Sequence, residues 1–397
     1  MSASANIVQS EIQRAYTSLD LWCRERDYAG HDPFDALNSG LFQSLPLARS
    51  SRLARLIWTQ AFKRSPLNLR GAVRVPAEKN AKGTALFALA ALSEFRRTRT
   101  KCAEQKAREL LRELIGSRLQ SKSGATCWGY NFDWQGRAFF APKGTPTIVP
   151  TAFASRALVE AARQFKDECY LRHARSACDF ILNDLNISEE AEGELCWSYS
   201  PLDRTRVFNA SLLAAETLSS VGELTGEREL TETALRGARY VAKRQNEDGS
   251  WAYGADAYQS WADNFHTAFI LTSLARINAT GERARAELGP ALMRGRKFWQ
   301  ERFFLRDGWP KYYPDRLYPA DAHSAGAAII ALVELNGPGG EARALAERIA
   351  LWAIHYLRSA QGFFYYQRRR FYTVRTPYMR WSQAWMLYAL ARLLESS

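Results

Sequence analysis

The chain has 397 residues, and because 54 of them are Lys or Arg and 41 are Asp or Glu, its formal net charge is +13. Hydrophobic residues make up 47 % of the sequence, and 12 Trp, 17 Tyr and 20 Phe exclude wholesale disorder. Only 24 Gly and 14 Pro occur, which excludes a collagen-like or low-complexity chain. The basic balance is typical of a protein with an anionic partner, although scattered arginines also fit an arginine-rich composition alone.

The first 78 residues do not share the repeat that follows them. We therefore predict a basic, helical N-terminal extension over residues 1–78 and a second domain over 79–397. Residues 5–27 have the apolar spacing of an amphipathic helix. Residues 41–77 contain seven Arg or Lys and no Asp or Glu. Since this segment has no recognised reader motif, we predict no nucleic-acid partner.

Residues 47–64 contain the strongest membrane signal of the chain. Several apolar residues share one face of a predicted helix, with basic residues around them. These apolar residues are Leu53, Leu56, Ile57 and Ala61. The pattern is typical of a helix that lies on an anionic membrane surface, and equally of a lid that packs on the rest of the protein.

Beyond residue 79, two kinds of helix alternate with a period close to 57 residues. Helices rich in Ala and apolar on all sides are predicted at 80–96, 150–162, 207–222, 264–277, 321–335 and 379–395. Amphipathic helices are predicted between them at 102–118, 167–183, 227–244, 286–303 and 341–359. Six stacked αα-hairpins predict an all-α fold, an α/α toroid or (α/α)6 barrel, because closure of the ring hides the end repeats.

A short aromatic signature precedes each inner helix from the second onward. It occurs at 127–130, 196–199 and 250–253, with looser copies at 308–312 and 362–365. We predict that the Trp residues pack between hairpins and that the Tyr residues after them reach the mouth of the toroid. Short β-ribbons are expected at Phe364–Val374 and at Cys127–Phe140, the latter around a turn at Asp133–Gly136.

One signature carries a resemblance to a known family. In the stretch 236–251, Gln245 near the end of an outer helix and Trp251 after a tight turn resemble the QW motif of squalene and terpenoid cyclases. A degraded copy covers 294–309. Physically, Gln245 can bridge at the helix end, Gly249 allows the turn, and Trp251 packs the loop on the next hairpin. The resemblance implies the toroid shared by terpenoid cyclases and protein prenyltransferases, which is similar to the toroids of six-hairpin glycosidases, sugar epimerases and polysaccharide lyases.

The sequence departs from the catalytic motifs of that superfamily. It contains neither the DxDD acid nor the DDxxD magnesium motif, and no Cys after Cys196 could complete a prenyltransferase zinc set. With no CxxC pair, no GxGxxG and no Walker loop, we predict reduced cysteines, no metal site and no cofactor. We find neither a signal peptide nor an apolar run of membrane-spanning length. We therefore predict a cytoplasmic location, with a peripheral place at the inner membrane as an extension of it.

Alignment of the inner helices brings polar residues to one end of the toroid. Asn209, His266 and His323 lie 57 residues apart, and Asp263 and Asp321 precede the two histidines. An imidazole beside a carboxylate can act as a general base or acid, so we predict these two His and two Asp as catalytic. The structural alternative is that the Asp residues cap helices and the His residues fill the core.

Further residues are predicted to bind substrate around the same mouth, and Lys82 falls near the start of the first inner helix. The predicted substrate-binding residues are Asn209, Arg206, Arg380, Gln383, Tyr253, Tyr258, Trp261, Tyr312 and Tyr313. Aromatic platforms of this kind can hold either a sugar ring or a carbocation.

Three functions are compatible with these residues. The first is a carbohydrate-active enzyme of surface polysaccharide or lipid-linked glycan biosynthesis that acts on an anionic glycan. Here His266 and His323 would exchange protons beside a uronate carboxylate neutralised by Arg206 or Arg380, or Asp263 and Asp321 would hydrolyse a glycosidic bond. The second is a terpenoid or polyprenyl enzyme, and the third is a non-catalytic toroid scaffold in a polysaccharide-biosynthesis complex.

Overall fold

A computed structural model describes residues 3–136, 139–190, 193–336 and 340–396. The N-terminal part forms α1 (Ala3–Arg24), a 3-10 turn (Asp35–Asn38), α2 (Gly40–Gln43), α3 (Pro46–Ser50) and α4 (Arg52–Arg64). Long helices then alternate along the chain. They are α5 (Ala81–Thr98), α6 (Lys101–Gly116), α7 (Ile148–Phe165), α8 (Glu168–Asn183), α9 (Phe208–Thr225), α10 (Arg228–Ala242), α11 (Asn264–Asn278), α12 (Glu282–Phe303), α13 (Ala322–Asn336), α14 (Gly340–Leu357) and α15 (Trp385–Glu395).

The odd-numbered helices from α5 to α15 form a closed inner ring. Each packs against the next, and α15 returns to pack against α5. These helices are buried over most of their length because their small and apolar residues contact neighbours on every side. The even-numbered helices from α6 to α14 lie outside, each packed on the inner helix beside it. The predicted α/α toroid and its helix positions are confirmed.

The ring also includes a helix from the N-terminal part of the chain. Helix α1 packs against α14 and α15, where an outer helix would otherwise be missing. Its Ile12, Tyr16 and Leu19 are buried in the common core. The division of the chain at residue 78 stays a prediction, but α1 packs within the toroid. No helix in the described ranges combines the length and the apolar composition that a membrane crossing needs.

The aromatic signatures hold neighbouring hairpins together. Gln245 donates from Nε2 to the carbonyls of Gly249 (3.0 Å) and Ala291 (2.9 Å), which lies on the next outer helix. Trp251 donates from its indole to the carbonyl of Val241 at 2.9 Å. These contacts are the bridging and packing roles that the sequence predicted for the two residues.

Two glycines on outer helices make room for the signature tryptophans. A Cβ atom at Gly237 would lie 2.3 Å from the ring of Trp197, and one at Gly295 would lie 2.2 Å from the ring of Trp251. Any larger residue would therefore push the indole out of its place. The Trp residues of the four Trp-containing signatures are all buried, as predicted: Trp128, Trp197, Trp251 and Trp309.

Short antiparallel ribbons occupy the loops. They pair β1 (Leu119–Gln120) with β2 (Thr126–Cys127), β3 (Trp134–Gln135) with β4 (Phe140–Ala141), β5 (Ile187–Glu190) with β6 (Glu194–Trp197), and β7 (Ala320–Asp321) with β8 (Gln367–Arg368) and β9 (Thr373–Val374). The predicted ribbon within 364–374 is confirmed. The predicted turn at 133–136 is wrong, because Trp134 pairs with Ala141 in a strand and Cys127 pairs with Leu119 in another ribbon.

A chain of ion pairs links neighbouring inner helices at the middle of α7 and α9 and near the C-terminal ends of α11 and α13. Glu216 on α9 receives two hydrogen bonds from Arg156 on α7, at 2.9 and 2.7 Å. It also pairs with Arg276 on α11, which reaches Glu334 on α13 at 2.8 Å. Burial alone would raise the pKa of Glu216, but the guanidinium groups of Arg156 and Arg276 hold that pKa at about 2.

We predict that Glu216→Gln destabilises the fold by about 3–5 kcal/mol, because two buried guanidinium groups lose their shared carboxylate. The loss is measured as the free energy of unfolding in urea at neutral pH. Because the pKa of Glu216 is lower in the folded protein than in the unfolded chain, wild type loses this stabilisation in acid. The difference in unfolding free energy between the variant and wild type should therefore shrink as the pH falls from 4.5 towards about 2.

The matched control is Glu232→Gln, which removes the exposed ion pair between Glu232 and Arg283. It should leave the unfolding curve nearly unchanged, because water replaces the lost contact. Equal effects of the two substitutions would contradict the assigned role of Glu216.

Candidate functional site

A cavity of about 330 Å³ lies at the N-terminal ends of the inner helices. Each inner helix contributes to its lining from the first turns, and the last one does so through a π-helical turn (Met379–Ala384) that precedes α15. The contributors in ring order are Lys82, Val149, Asn209, His266, His323 and Arg380. The cavity is therefore the toroid mouth that the sequence predicted.

Helix α4 forms the roof of the cavity. Its Leu56, Gln60 and Lys63 follow one another at helical spacing and line the cavity. The helix is anchored on both sides: the indole of Trp58 donates to the carbonyl of Ala36 at 3.0 Å, and the Tyr372 hydroxyl donates to the Arg64 carbonyl at 3.2 Å. The sequence left open whether this segment contacts the toroid or a membrane, and the structure shows contact with the toroid.

His266 and Asp263 form a hydrogen-bonded pair on the cavity wall. The ring nitrogen Nδ1 of His266 lies 2.7 Å from Oδ2 of Asp263, and Oδ1 of the same carboxylate accepts the backbone N–H of His266 at 3.0 Å. Asp263 therefore caps α11 and orients the imidazole at once. Because Nδ1 is occupied, Nε2 is the nitrogen left for a ligand in the cavity.

Aromatic rings form the wall next to this pair. Tyr253 and Trp261 stack at 4.7 Å with an angle of 13° between their planes, and the indole of Trp261 donates to Asp263 at 3.3 Å. The hydroxyls of two further lining tyrosines, Tyr130 and Tyr199, lie 3.3 Å apart. Burial raises the pKa of all three tyrosines, so their hydroxyls stay protonated and can donate to a ligand.

His323 lies deeper, in an aromatic cage. Its ring centroid is 4.4 Å from that of Phe265, 4.1 Å from Trp381 and 4.7 Å from Trp385. The side chain is fully buried, and neither ring nitrogen has a hydrogen-bond partner within the described ranges. Burial lowers the pKa of His323 well below its usual value, and the nearby charge of Lys82 lowers it further, so the imidazole is neutral.

Lys82 is a buried cation in the floor of the cavity. Its ammonium lies 4.5 Å from the ring centroid of Phe153, 5.3 Å from Phe269 and 5.2 Å from Trp385. The residue is 2 % exposed, and no carboxylate in the described part of the chain forms an ion pair with it. Burial, and then the charge of Arg380, lower the pKa of Lys82 well below its usual value.

Two other cations differ from Lys82 in their surroundings. Arg380 is held by a bidentate ion pair with Asp32, at 2.6 and 2.8 Å, so its charge is already neutralised. Lys63 projects from the roof and lies 4.3 Å from the ring of Phe34. Burial lowers the pKa of Lys63 to about 8, against the opposing pull of Asp321 and Asp32.

The cavity brings together most of the residues that the sequence predicted for the site. Those that line it are Asn209, Asp263, His266, His323, Arg380, Tyr253, Tyr258, Trp261, Tyr312 and Tyr313. Among them, the amide oxygen of Asn209 is buried and has no hydrogen-bond partner in the described residues. The sequence analysis did not assign Lys63 or Asp32 to the site. The helical spacing of Leu56, Gln60 and Lys63 could have indicated Lys63, whereas no sequence pattern indicated Asp32.

Arg206 and Gln383 do not line the cavity. Arg206 forms ion pairs with Glu190 at 3.1 Å and Asp256 at 3.3 Å. Gln383 makes two hydrogen bonds to the backbone of Phe364, at 2.8 and 2.7 Å. Both side chains are thus occupied by structural contacts, and their predicted substrate-binding roles stay predictions.

Asp321 is fully buried behind the cavity rather than in its lining. Its Oδ1 accepts the backbone N–H of Ser324 at 2.8 Å, which is the contact expected of a helix cap. Burial raises the pKa of this carboxyl. Nowhere in the described ranges do three His, Cys, Asp or Glu side chains come together in an arrangement that could hold a metal ion.

No family model and no curated protein sequence matches the chain at a significant level. The fold is similar to that of a glycoside hydrolase family 76 mannosidase from Bacteroides thetaiotaomicron, with a TM-score of 0.62, 12 % identity and 98 % of both chains covered. It is also similar to cellobiose 2-epimerase from Bacillus thermoamylovorans, with a TM-score of 0.61 and 12 % identity over 80 % of this chain and 90 % of that one. A sugar epimerase from a ruminal bacterium is similar as well, with a TM-score of 0.62 and 11 % identity over 81 % of this chain and 90 % of that one.

Identities this low show the fold alone. These structures fit the α/α toroid predicted from the sequence, and they do not specify the terpenoid cyclase superfamily within it.

We predict that Lys82→Met stabilises the protein at neutral pH, by on the order of 1 kcal/mol, because it removes a buried and unpaired charge without changing the volume much. The pKa of Lys82 in the folded protein lies below its usual value of 10.5. The difference in unfolding free energy between the variant and wild type should therefore narrow as the pH rises towards 10.5. Urea unfolding of both proteins at several pH values measures this difference. A loss of stability at neutral pH would show that the ammonium has a structural partner.

Proposed function

We propose that the protein is a carbohydrate-active enzyme that transfers protons to and from a carbon atom of an anionic sugar. One observation carries the proposal: two histidines of different character line one aromatic cavity, on either side of Phe265. The ring of Phe265 lies 3.9 Å from that of His266 and 4.4 Å from that of His323. Groups with such different surroundings are suited to opposite roles in acid–base catalysis.

The lining of the cavity supports a sugar as substrate. Stacked Tyr253 and Trp261 offer a flat apolar face for a pyranose ring, and the protonated tyrosine hydroxyls offer donors for its oxygens. An epimerase and a mannosidase are among the proteins that share this fold, and both act on carbohydrates by their names.

The charge of the cavity supports an anionic substrate. Lys63, Arg64, Lys82 and Arg380 line it, whereas Asp263 is the one carboxylate among the described residues that does so. Because Arg380 is already paired with Asp32, Lys82 is the buried cation available to a ligand. A uronate carboxylate would neutralise it, and the ion pair would orient the carbon next to the carboxylate.

The chemistry follows from these positions. Neutral His323 accepts the proton from the carbon beside the carboxylate, and the electrons of the C–H bond move into the carboxylate to give an enolate. Lys82 stabilises the added negative charge. His266, in its imidazolium form paired with Asp263, then donates the proton of Nε2 and becomes neutral. Delivery to the opposite face of the carbon yields the epimer, and delivery to a departing oxygen on the next carbon yields an unsaturated sugar.

The other functions considered have less support. Hydrolysis needs two carboxylates beside the glycosidic bond, and Asp321 is buried behind the cavity. A terpenoid carbocation would be repelled by Lys82 and Lys63. A scaffold gives no reason to keep unpartnered polar groups on His323 and Asn209. That the sugar belongs to a surface polysaccharide or is lipid-linked stays a prediction.

The proposal predicts exchange of a sugar C–H with solvent. Incubation of the protein with oligogalacturonate or oligoglucuronate in D2O should either incorporate deuterium next to the carboxylate, if the product is the epimer, or form a carbon–carbon double bond there, if the product is the unsaturated sugar. NMR follows both products, and neutral oligosaccharides should give neither. His323→Phe should lower the exchange rate at least about 100-fold. His355→Asn changes an exposed histidine outside the cavity and should leave the rate unchanged. Wild-type protein that neither exchanges this hydrogen nor eliminates across this bond in any uronate would contradict the proposal.

We also predict that Asp263→Asn separates the two functions of this residue. Asn caps helices as well as Asp does, so the unfolding free energy should stay within about 0.5 kcal/mol of wild type. Exchange should fall roughly 10²–10⁴-fold, because an amide orients and stabilises the imidazole of His266 less well than a carboxylate. Asp263→Ala also removes the helix cap, so it should lower both the unfolding free energy and the exchange rate. Unchanged exchange in Asp263→Asn would remove His266 from the proposed chemistry.

A further inference from the structure

Helix α4 has a second, outward face that is apolar and exposed. Leu53 is 67 % and Ile57 60 % exposed, and both lie on an exposed face that borders the cavity-lining residues of the helix. Leu47 on α3 is 86 % exposed, Leu67 beyond α4 is 67 % exposed, and Phe371 in the β8–β9 hairpin is 85 % exposed. We call these five side chains the roof surface.

The hairpin belongs to the same surface because it is attached to α4. The hydroxyl of Tyr372 donates to the carbonyl of Arg64 at the C-terminal end of the helix. Phe371 is the next residue along the hairpin and is bordered by Arg370, which is also exposed. Large apolar side chains on one exposed side of a protein mark an interaction site more often than chance.

The charges of the chain segment that carries most of the roof surface are of one sign. Residues 41–77 contain seven Arg or Lys and no Asp or Glu. Lys63 and Arg70 face inward, but Arg49 and Arg64 are exposed beside the apolar side chains. Apolar side chains inserted among basic residues match the headgroup region of a membrane that contains anionic lipids.

We propose that the roof surface docks the protein on the surface of an anionic lipid bilayer. The apolar side chains enter the boundary between headgroups and acyl chains, and the arginines contact lipid phosphates. Since the cavity-lining residues of α4 border this exposed face, and Arg64 belongs to both, docking brings the toroid mouth close to the membrane. A sugar carried by a lipid would then be within reach, and that last step rests on the proposed function.

Sedimentation of the full-length protein with vesicles tests the docking without any sugar. The protein should bind vesicles that contain phosphatidylglycerol, bind phosphatidylcholine vesicles at least about tenfold more weakly, and lose binding as salt is added. The double variant Leu53→Ser, Ile57→Ser should bind the anionic vesicles at least about tenfold more weakly. Both residues are exposed, so the fold should be unaffected, which an unchanged unfolding curve confirms.

Met293→Ser is the matched control, since Met293 is 69 % exposed on the outer helix α12, away from α4. It should bind vesicles like wild type. Equal binding to both kinds of vesicle, no binding, or unchanged binding by the double variant would overturn the proposal. So would a wild-type dimer in light scattering that the double variant converts to a monomer, because the roof surface would then be an interface between two copies. Docking that persists when uronate exchange is absent would separate this proposal from the proposed function.

Discussion

The buried charge of Lys82, for which the described residues provide no ion-pair partner, is the constraint on which the site depends. An ammonium such as that of Lys82 loses its hydration on burial, and the rings of Phe153, Phe269 and Trp385 compensate only in part. Burial, and then the charge of Lys82, lower the pKa of His323 well below its usual value. Under the proposed function, the carboxylate of an anionic sugar would be the counter-ion of Lys82, and His323 beside it would accept the proton.

The stability for this arrangement comes from the other end of the toroid. There the inner helices are joined by buried ion pairs in which every charge has a partner, as Glu216 does with Arg156 and Arg276. The Trp signatures join the outer helices in the same way, through Gln245 and Trp251. The paired charges at one end stabilise the fold, and the polar groups without partners at the other end are available to a ligand. This separation is expected of a fold that carries a site.

Repetition made much of this structure predictable. The helical ring, the buried signatures and the position of the mouth all follow from a period that the sequence shows directly, and the alignment of His266 with His323 follows from the same period. What lies outside the repeat could not be found in this way. The roof helix α4 and the partner of Arg380, Asp32, come from the N-terminal part of the chain, which folds back over the mouth through contacts distant in sequence. Asp321 aligned with the catalytic candidates, yet its capping bond to Ser324 and its burial depend on the local backbone.

The central claim is that the cavity binds an anionic sugar through Lys82. A crystal structure of the wild-type protein with bound galacturonate tests it most directly. We expect the sugar ring between the Tyr253–Trp261 stack and the floor, with its carboxylate within hydrogen-bond distance of the Lys82 ammonium and a carbon-bound hydrogen facing His323. A sugar bound outside this cavity, or inside it with the carboxylate away from Lys82, would show that Lys82 is not the anion site.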